Sequence, residues 1–320
     1  LIIAKPTSAF SRSEKYVLDQ YVMHGGKVMF LIESLQADMS QAAGMGTLAT
    51  PINHNLEDLL FRYGIRLNGN YVQDIQNFGR YPVVVGEQNE IINLPWPFYA
   101  SVNDFAEHPI TKNLDAVYLR FFSTIDTVKA GGVTKTPLMF TSEFTRVLPA
   151  PAPVALEDYA NQPDPSLFSG GKKAVSYLLE GNFTSLFKNR VLPDSVNKAS
   201  YLEEGLPSKI VVVSDGDFIR NELNLRNRTP YELGVNPFRE DGEKVRYANK
   251  DFMFNALAYL TDENGLITSR NKEITLRPLN RTKLQSERGF WQALNLAGPS
   301  VILVIFGFVR AYIRKRKYTF

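Results

Sequence analysis

The carboxylates with the best claim to chemistry are Asp215 and Asp217, which directly follow the apolar run Val211-Val212-Val213-Ser214, with Asn221 one helical turn further on. An open α/β sheet gathers the carboxyl ends of its strands around the ligand crevice, so this pair would hold a polar ligand or a divalent cation there. A second reading serves the same residues: one carboxylate caps the next helix and Gly216 permits the tight turn between them. Both readings stand on sequence alone, and Asp215, Asp217 and Asn221 are the ligand-binding candidates. Glu180-Gly181-Asn182-Phe183 follows another apolar run and reads as a turn with a helix start.

Other familiar chemistry lacks its residues. The chain has no Cys, which removes thiolate metal sites, iron–sulfur clusters and a thiol nucleophile. Its three His (His24, His54 and His108) are too far apart in sequence for two imidazoles on one helical face, so no His-based metal site is expected. His108 precedes Pro109 and reads as a turn. Gly44-Met45-Gly46-Thr47-Leu48-Ala49 fits a loose dinucleotide pattern but lies in a Ser, Gln and Ala-rich loop rather than at a strand-to-helix elbow. Gly170-Gly171-Lys172-Lys173 lacks the spacing and hydroxyl of a phosphate loop, and no Gly-x-Ser-x-Gly elbow occurs. The sequence therefore predicts neither ATP hydrolysis nor a resident cofactor.

These candidates need strands and helices to position them. Short apolar runs alternate with amphipathic stretches, which predicts a βαβ series and a mostly parallel sheet flanked by helices. Strands are expected at 1–4, 27–33, 81–85, 117–122, 138–141, 173–179 and 209–214, and helices at 11–24, 56–63 and 250–260. Gly25-Gly26 and Gly64 supply helix stops. A turn at 262–265 and a short segment at 266–276 complete the body. Five prolines between Leu148 and Pro165 exclude that stretch from a central sheet and predict an exposed loop or insertion. The apolar opening Leu1-Ile2-Ile3-Ala4, with no Met and no basic leader, reads as a cut into a longer protein.

Residues 289–309 carry no charge and are flanked by Arg288 and Arg310. As a helix they would extend about 31 Å, enough to cross a hydrocarbon core of about 30 Å. Arg310, Arg314, Lys315, Arg316 and Lys317 follow without an acid; removing these five from the net charge of +3 leaves the rest of the chain at −2. A slightly acidic body argues against nucleic acid as a partner. The basic block stays cytoplasmic by the positive-inside rule, so residues 1–288 are expected outside, 289–309 across the membrane and 310–320 inside.

Several phrases in order, LIIAKPTSAFSRSEKYVLDQYVMHGGKVMFLIE, HPITKNL, TPLMFTSEFTR, VSYLLEGNFTSLF, IVVVSDGDFIRNE and FNALAYLTDENGLITSRNKEITLRPLN, resemble the bacterial ABC-transporter auxiliary family typified by GldG, the gliding-motility-associated membrane subunit of the Bacteroidetes. The resemblance implies an amidotransferase-like or flavodoxin-like domain outside the cytoplasmic membrane. It also implies a separate ABC ATPase and a multispan permease as partners, with an envelope ligand as a further expectation. An amidotransferase-like nucleophile is absent, which favours a non-enzymatic accessory subunit in gliding or envelope export. The rival is a membrane-anchored hydrolase or carbohydrate-binding enzyme that uses the strand-end carboxylates. The family carries no catalytic residues over to this chain.

Overall fold

The structure is a computed structural model that describes all residues except 43–45, 87–89, 158–163, 195, 225–226, 238–243, 263–264, 266–280 and 319–320. The chain forms two compact units, Leu1–Asn271 and Lys272–Phe320.

The first unit is built on a six-stranded sheet. Its β1 (Ile2–Ala4) leads through α1 (Arg12–Met23) into β2 (Val28–Leu31), which lies parallel to it. Ser11 caps α1: its side chain accepts from the Glu14 N–H while Glu14 reaches back to the Ser11 N–H, so two otherwise unpaired donors are satisfied. On the far side of β2 runs β16 (Glu204–Val213), again parallel, followed by β15 (Ala174–Thr184), β12 (Val133–Phe140) and β9 (Asp104–Phe105), each antiparallel to its neighbour.

Alternation along the inner strands divides the core. Met29, Leu31, Val211 and Val213 face α4 (Asn249–Thr261), with Phe252, Ala256 and Leu260 packed against them. Val28, Phe30, Ile210 and Val212 face α1 and α3 (Glu57–Tyr63) through Leu18, Val22, Leu59 and Leu60. Gly64 ends α3 in the left-handed region at φ 109°, where a side chain would be strained.

The remaining strands form small antiparallel sheets. The largest joins β7 (Phe78–Val85), β8 (Glu90–Val102) and β10 (Val117–Arg120). Two-stranded pairs join β5 (Ile65–Leu67) to β11 (Ile125–Thr127), β6 (Asn70–Asp74) to β13 (Thr145–Pro149), and β17 (Val235–Asn236) to β18 (Val245–Arg246). The last sheet aligns β3 (Leu35–Gln36), β4 (Thr47–Pro51) and β14 (Ala152–Val154), with the short helix α2 (Met39–Ala42) between β3 and β4. Trp96, Phe98, Tyr71 and Phe121 fill a third core among these strands.

The expected mostly parallel sheet flanked by helices, amidotransferase-like or flavodoxin-like, is therefore wrong. Only β1, β2 and β16 run parallel; the other strand pairs among the described residues are antiparallel. The error has a physical source. A run such as Ile210-Val211-Val212-Val213 reports that both faces of a strand are covered, and says nothing about the direction of its neighbours. The expected βαβ series also breaks after the helix expected at 56–63, because α3 hands the chain to β5 and a two-stranded antiparallel pair. Glu180 to Phe183 lie inside β15 rather than at a helix start. The Pro-rich stretch stays out of the central sheet, but Ala152 and Val154 are buried in β14 rather than exposed. Pro163, the segment 266–276 and the start of the Gly44–Ala49 pattern lie outside the described residues.

The second unit contains α5 (Arg281–Tyr318), 38 residues long, which continues through Pro299. Within it Leu294–Lys317 is long and apolar enough, by length and composition, to cross a membrane.

The core assignment predicts a sharp contrast between two phenylalanines of α4. Phe252 is fully buried against Phe218, whereas Phe254 is 60% exposed. Phe252→Ala should lower unfolding free energy by about 3 to 5 kcal/mol and Phe254→Ala by under about 0.5 kcal/mol, as read by urea denaturation. Equal losses would contradict the packing.

Candidate functional site

Because β1, β2 and β16 are neighbours and parallel, their carboxyl ends open on one side of the sheet, and each strand delivers charge there. Lys5 is the first residue past β1, Glu33 lies two past β2, and Asp215 and Asp217 follow β16. The Lys5 Nζ donates to Glu33 Oε1 at 2.9 Å and to Asp217 Oδ2 at 2.8 Å, so one ammonium ties all three strand ends. Lys5 holds a left-handed backbone at φ 43°, an uncommon conformation for a residue with a side chain. Its side chain lies against Gly216, where an added Cβ would sit 3.0 Å from that of Lys5.

Asp215 is fully buried and its oxygens accept two backbone N–H groups, from Asp217 at 2.7 Å and from Arg120 at 2.8 Å. The first closes the turn after β16; the second fixes the end of β10, whose next residue, Phe121, is also left-handed at φ 47°. Arg120 is buried, pairs with Glu222 and stacks over the Tyr118 ring. Arg220 approaches Asp217 Oδ2 at 3.3 Å. Among the described residues no group of three or more His, Cys, Asp or Glu is arranged to hold a metal ion.

Burial dominates the proton affinities. It pushes Asp215 well above the carboxylate range, with the Glu33 charge adding to it. Burial also raises Glu33, to about 7, against the pull of Lys5 and with repulsion from Asp217. Asp217 is desolvated as well, but its hydrogen bond to Lys5 and the charges of Lys5 and Arg220 outweigh that and hold it low.

The sequence candidates thus separate. Asp215 and Asp217 share the site, with Asp215 engaged by backbone donors and Asp217 by cations; Asn221 lies on the exposed surface. Sequence reasoning missed Lys5, Glu33, Arg120, Arg220 and Glu222. The signal for the first two was present: a charged residue one or two positions beyond an apolar strand. His108 makes the expected turn, its carbonyl accepting from the Thr111 N–H at 3.0 Å.

The profile of the family described as an ABC-type uncharacterized transport system matches residues 1–256. The chain belongs to that family. The match covers the body with its strand-end cluster and indicates an auxiliary subunit of an ABC-type transport system; it does not reach the finer gliding-motility type. No curated protein matches. Among solved structures, one titled "mmIFT52 N-terminal domain" aligns with 82% of this chain and 77% of its own at 15% identity and a TM-score of 0.39, a likeness too low to carry an argument.

The electrostatics predict a pH dependence. A buried carboxyl with a raised folded pKa binds its proton more tightly folded than unfolded, so Glu33 costs stability as pH rises from its ordinary value of 4.5 through about 7. Asp217 acts oppositely, and its contribution is lost only as pH falls below 3.8. The melting temperature of the wild type should fall between pH 5 and pH 8, and Glu33→Gln should flatten that fall. An unchanged slope in Glu33→Gln would contradict the assignment.

Proposed function

We propose that this family member is a non-enzymatic, membrane-anchored auxiliary subunit that works beside a separate ABC ATPase and a multispan permease at the bacterial cytoplasmic membrane, in gliding motility or envelope export. The observation that carries the reading is the family match over residues 1–256 in a chain whose last helix contains the apolar stretch Leu294–Lys317. In this reading residues 289–309 anchor the chain, residues 1–288 stand outside and residues 310–320 remain inside, held by the five cations from Arg310 to Lys317. Nucleotide chemistry is left to the ATPase subunit. Asp215, Asp217 and Asn221 are assigned no catalytic role. The engagement of Asp215 by backbone donors and of Asp217 by Lys5 and Arg220 supports a structural part for both, because a general acid or base needs an oxygen within reach of substrate.

Detergent extraction with a tag at the C-terminus tests this directly. The full chain should co-purify with one ATPase and one multispan protein at near-equal amounts. Purification alone, together with turnover of an ester, amide or glycoside substrate, would replace the accessory reading with that of an anchored hydrolase.

A further inference from the structure

The helix α5 changes chemistry without a break in its backbone. Its apolar run from Val301 to Val309 continues, still helical, into Arg310-Ala311-Tyr312-Ile313-Arg314-Lys315-Arg316-Lys317. No acid occurs between Arg288 and Phe320, so no carboxylate of the helix stands three or four positions from these cations. Arg310, Arg314, Arg316 and Lys317 are exposed and form no ion pair among the described residues. With 3.6 residues per turn, Leu303, Phe306, Arg310, Arg314 and Lys317 fall within a sector of about 80°. One stripe of the helix is therefore apolar first and cationic after. Leu303 and Phe306 are 70% and 62% exposed, so nothing in the protein covers its apolar part.

This stripe selects a partner. Arg310 and Lys317 are separated by about 10 Å of helical rise, and the headgroup layer on each side of a bilayer is about 5 to 8 Å deep. The long stems of Arg and Lys close the difference by bending toward the charge they answer. A phospholipid meets both parts of the stripe at once: acyl chains lie against Leu303 and Phe306, and phosphate oxygens meet the forked donors of Arg310 and Arg314. An acidic protein segment or a nucleic acid would answer the cations and leave the apolar residues uncovered. A zwitterionic headgroup brings its own cation and cancels much of the attraction, whereas an anionic one does not. We infer that the stripe formed by Leu303, Phe306, Arg310, Arg314 and Lys317 is a binding site for an anionic phospholipid. The inference rests on the anchored reading proposed above and adds the class of lipid that the anchor selects.

The test is electron paramagnetic resonance of the full chain reconstituted in phosphatidylcholine vesicles that carry a trace of spin-labelled phosphatidylglycerol or spin-labelled phosphatidylcholine. The motionally restricted fraction reads the lipid held against the helix. At about 0.05 M salt phosphatidylglycerol should associate at least about fivefold more strongly than phosphatidylcholine. At about 1 M salt, where the screening length is about 3 Å, the preference should fall below about twofold. Arg314→Gln should remove more than about half of the preference. Arg316→Gln, which deletes the same charge from the opposite side of the helix, should remove less than about a quarter. Equal association of the two lipids, a preference that survives high salt, or equal losses in the two variants would overturn the assignment and leave the cations to an acidic protein segment. An alkaline carbonate wash keeps the two readings apart: release of the chain would overturn the anchored reading together with this one, whereas retention without a lipid preference would overturn this one alone.

Discussion

One ammonium group holds together parts of the chain that sequence keeps far apart. Lys5 bonds to Glu33, 28 positions away, and to Asp217, 212 positions away, at the point where three parallel strands stop. Without it two carboxylates would face each other beside a third, Asp215, in a place that water scarcely reaches. The left-handed backbone at Lys5 and the bare Gly216 beside it follow from this demand, since the ammonium must turn back across the strand ends and its stem needs room. Asp215 then passes the constraint on through the Arg120 N–H, which holds the exit of β10.

The chemistry of the strand ends follows from that order. Asp215 accepts two backbone N–H groups and Asp217 answers a lysine, and these hydrogen bonds pin the chain where the strands end. The sequence pattern of an apolar strand followed by Asp-Gly-Asp describes a fastening and a metal site equally well. The partners here are Lys5 just past β1, the Arg120 N–H at the end of β10, Arg220, and the Asp217 N–H of the turn itself.

Local features were legible where local physics decides them. The helix that begins after Ser11, the stop at Gly64, the helix at α4 and at least part of every central strand except β9 were read from residue type and spacing. Strand direction was not legible, because burial on both faces produces the same apolar run in parallel and antiparallel neighbours. The thirteen-residue β8 was also missed: it contains Pro95 and Pro97, which read as strand breakers, yet it pairs with both β7 and β10. At the site, Asp215 and Asp217 stood out through their motif, whereas Lys5 and Glu33 gain meaning only when the sheet places them together.

The claim that Lys5 couples the strand ends is tested most directly by a double-mutant cycle in urea denaturation with Lys5→Met, Asp217→Asn and the pair. If the ammonium and carboxylate act as one bond, the losses from the single changes will exceed the loss from the double change by more than about 1 kcal/mol. Additivity within about 0.5 kcal/mol would mean that the two residues stabilise the protein independently, and that something else holds the three strands in register.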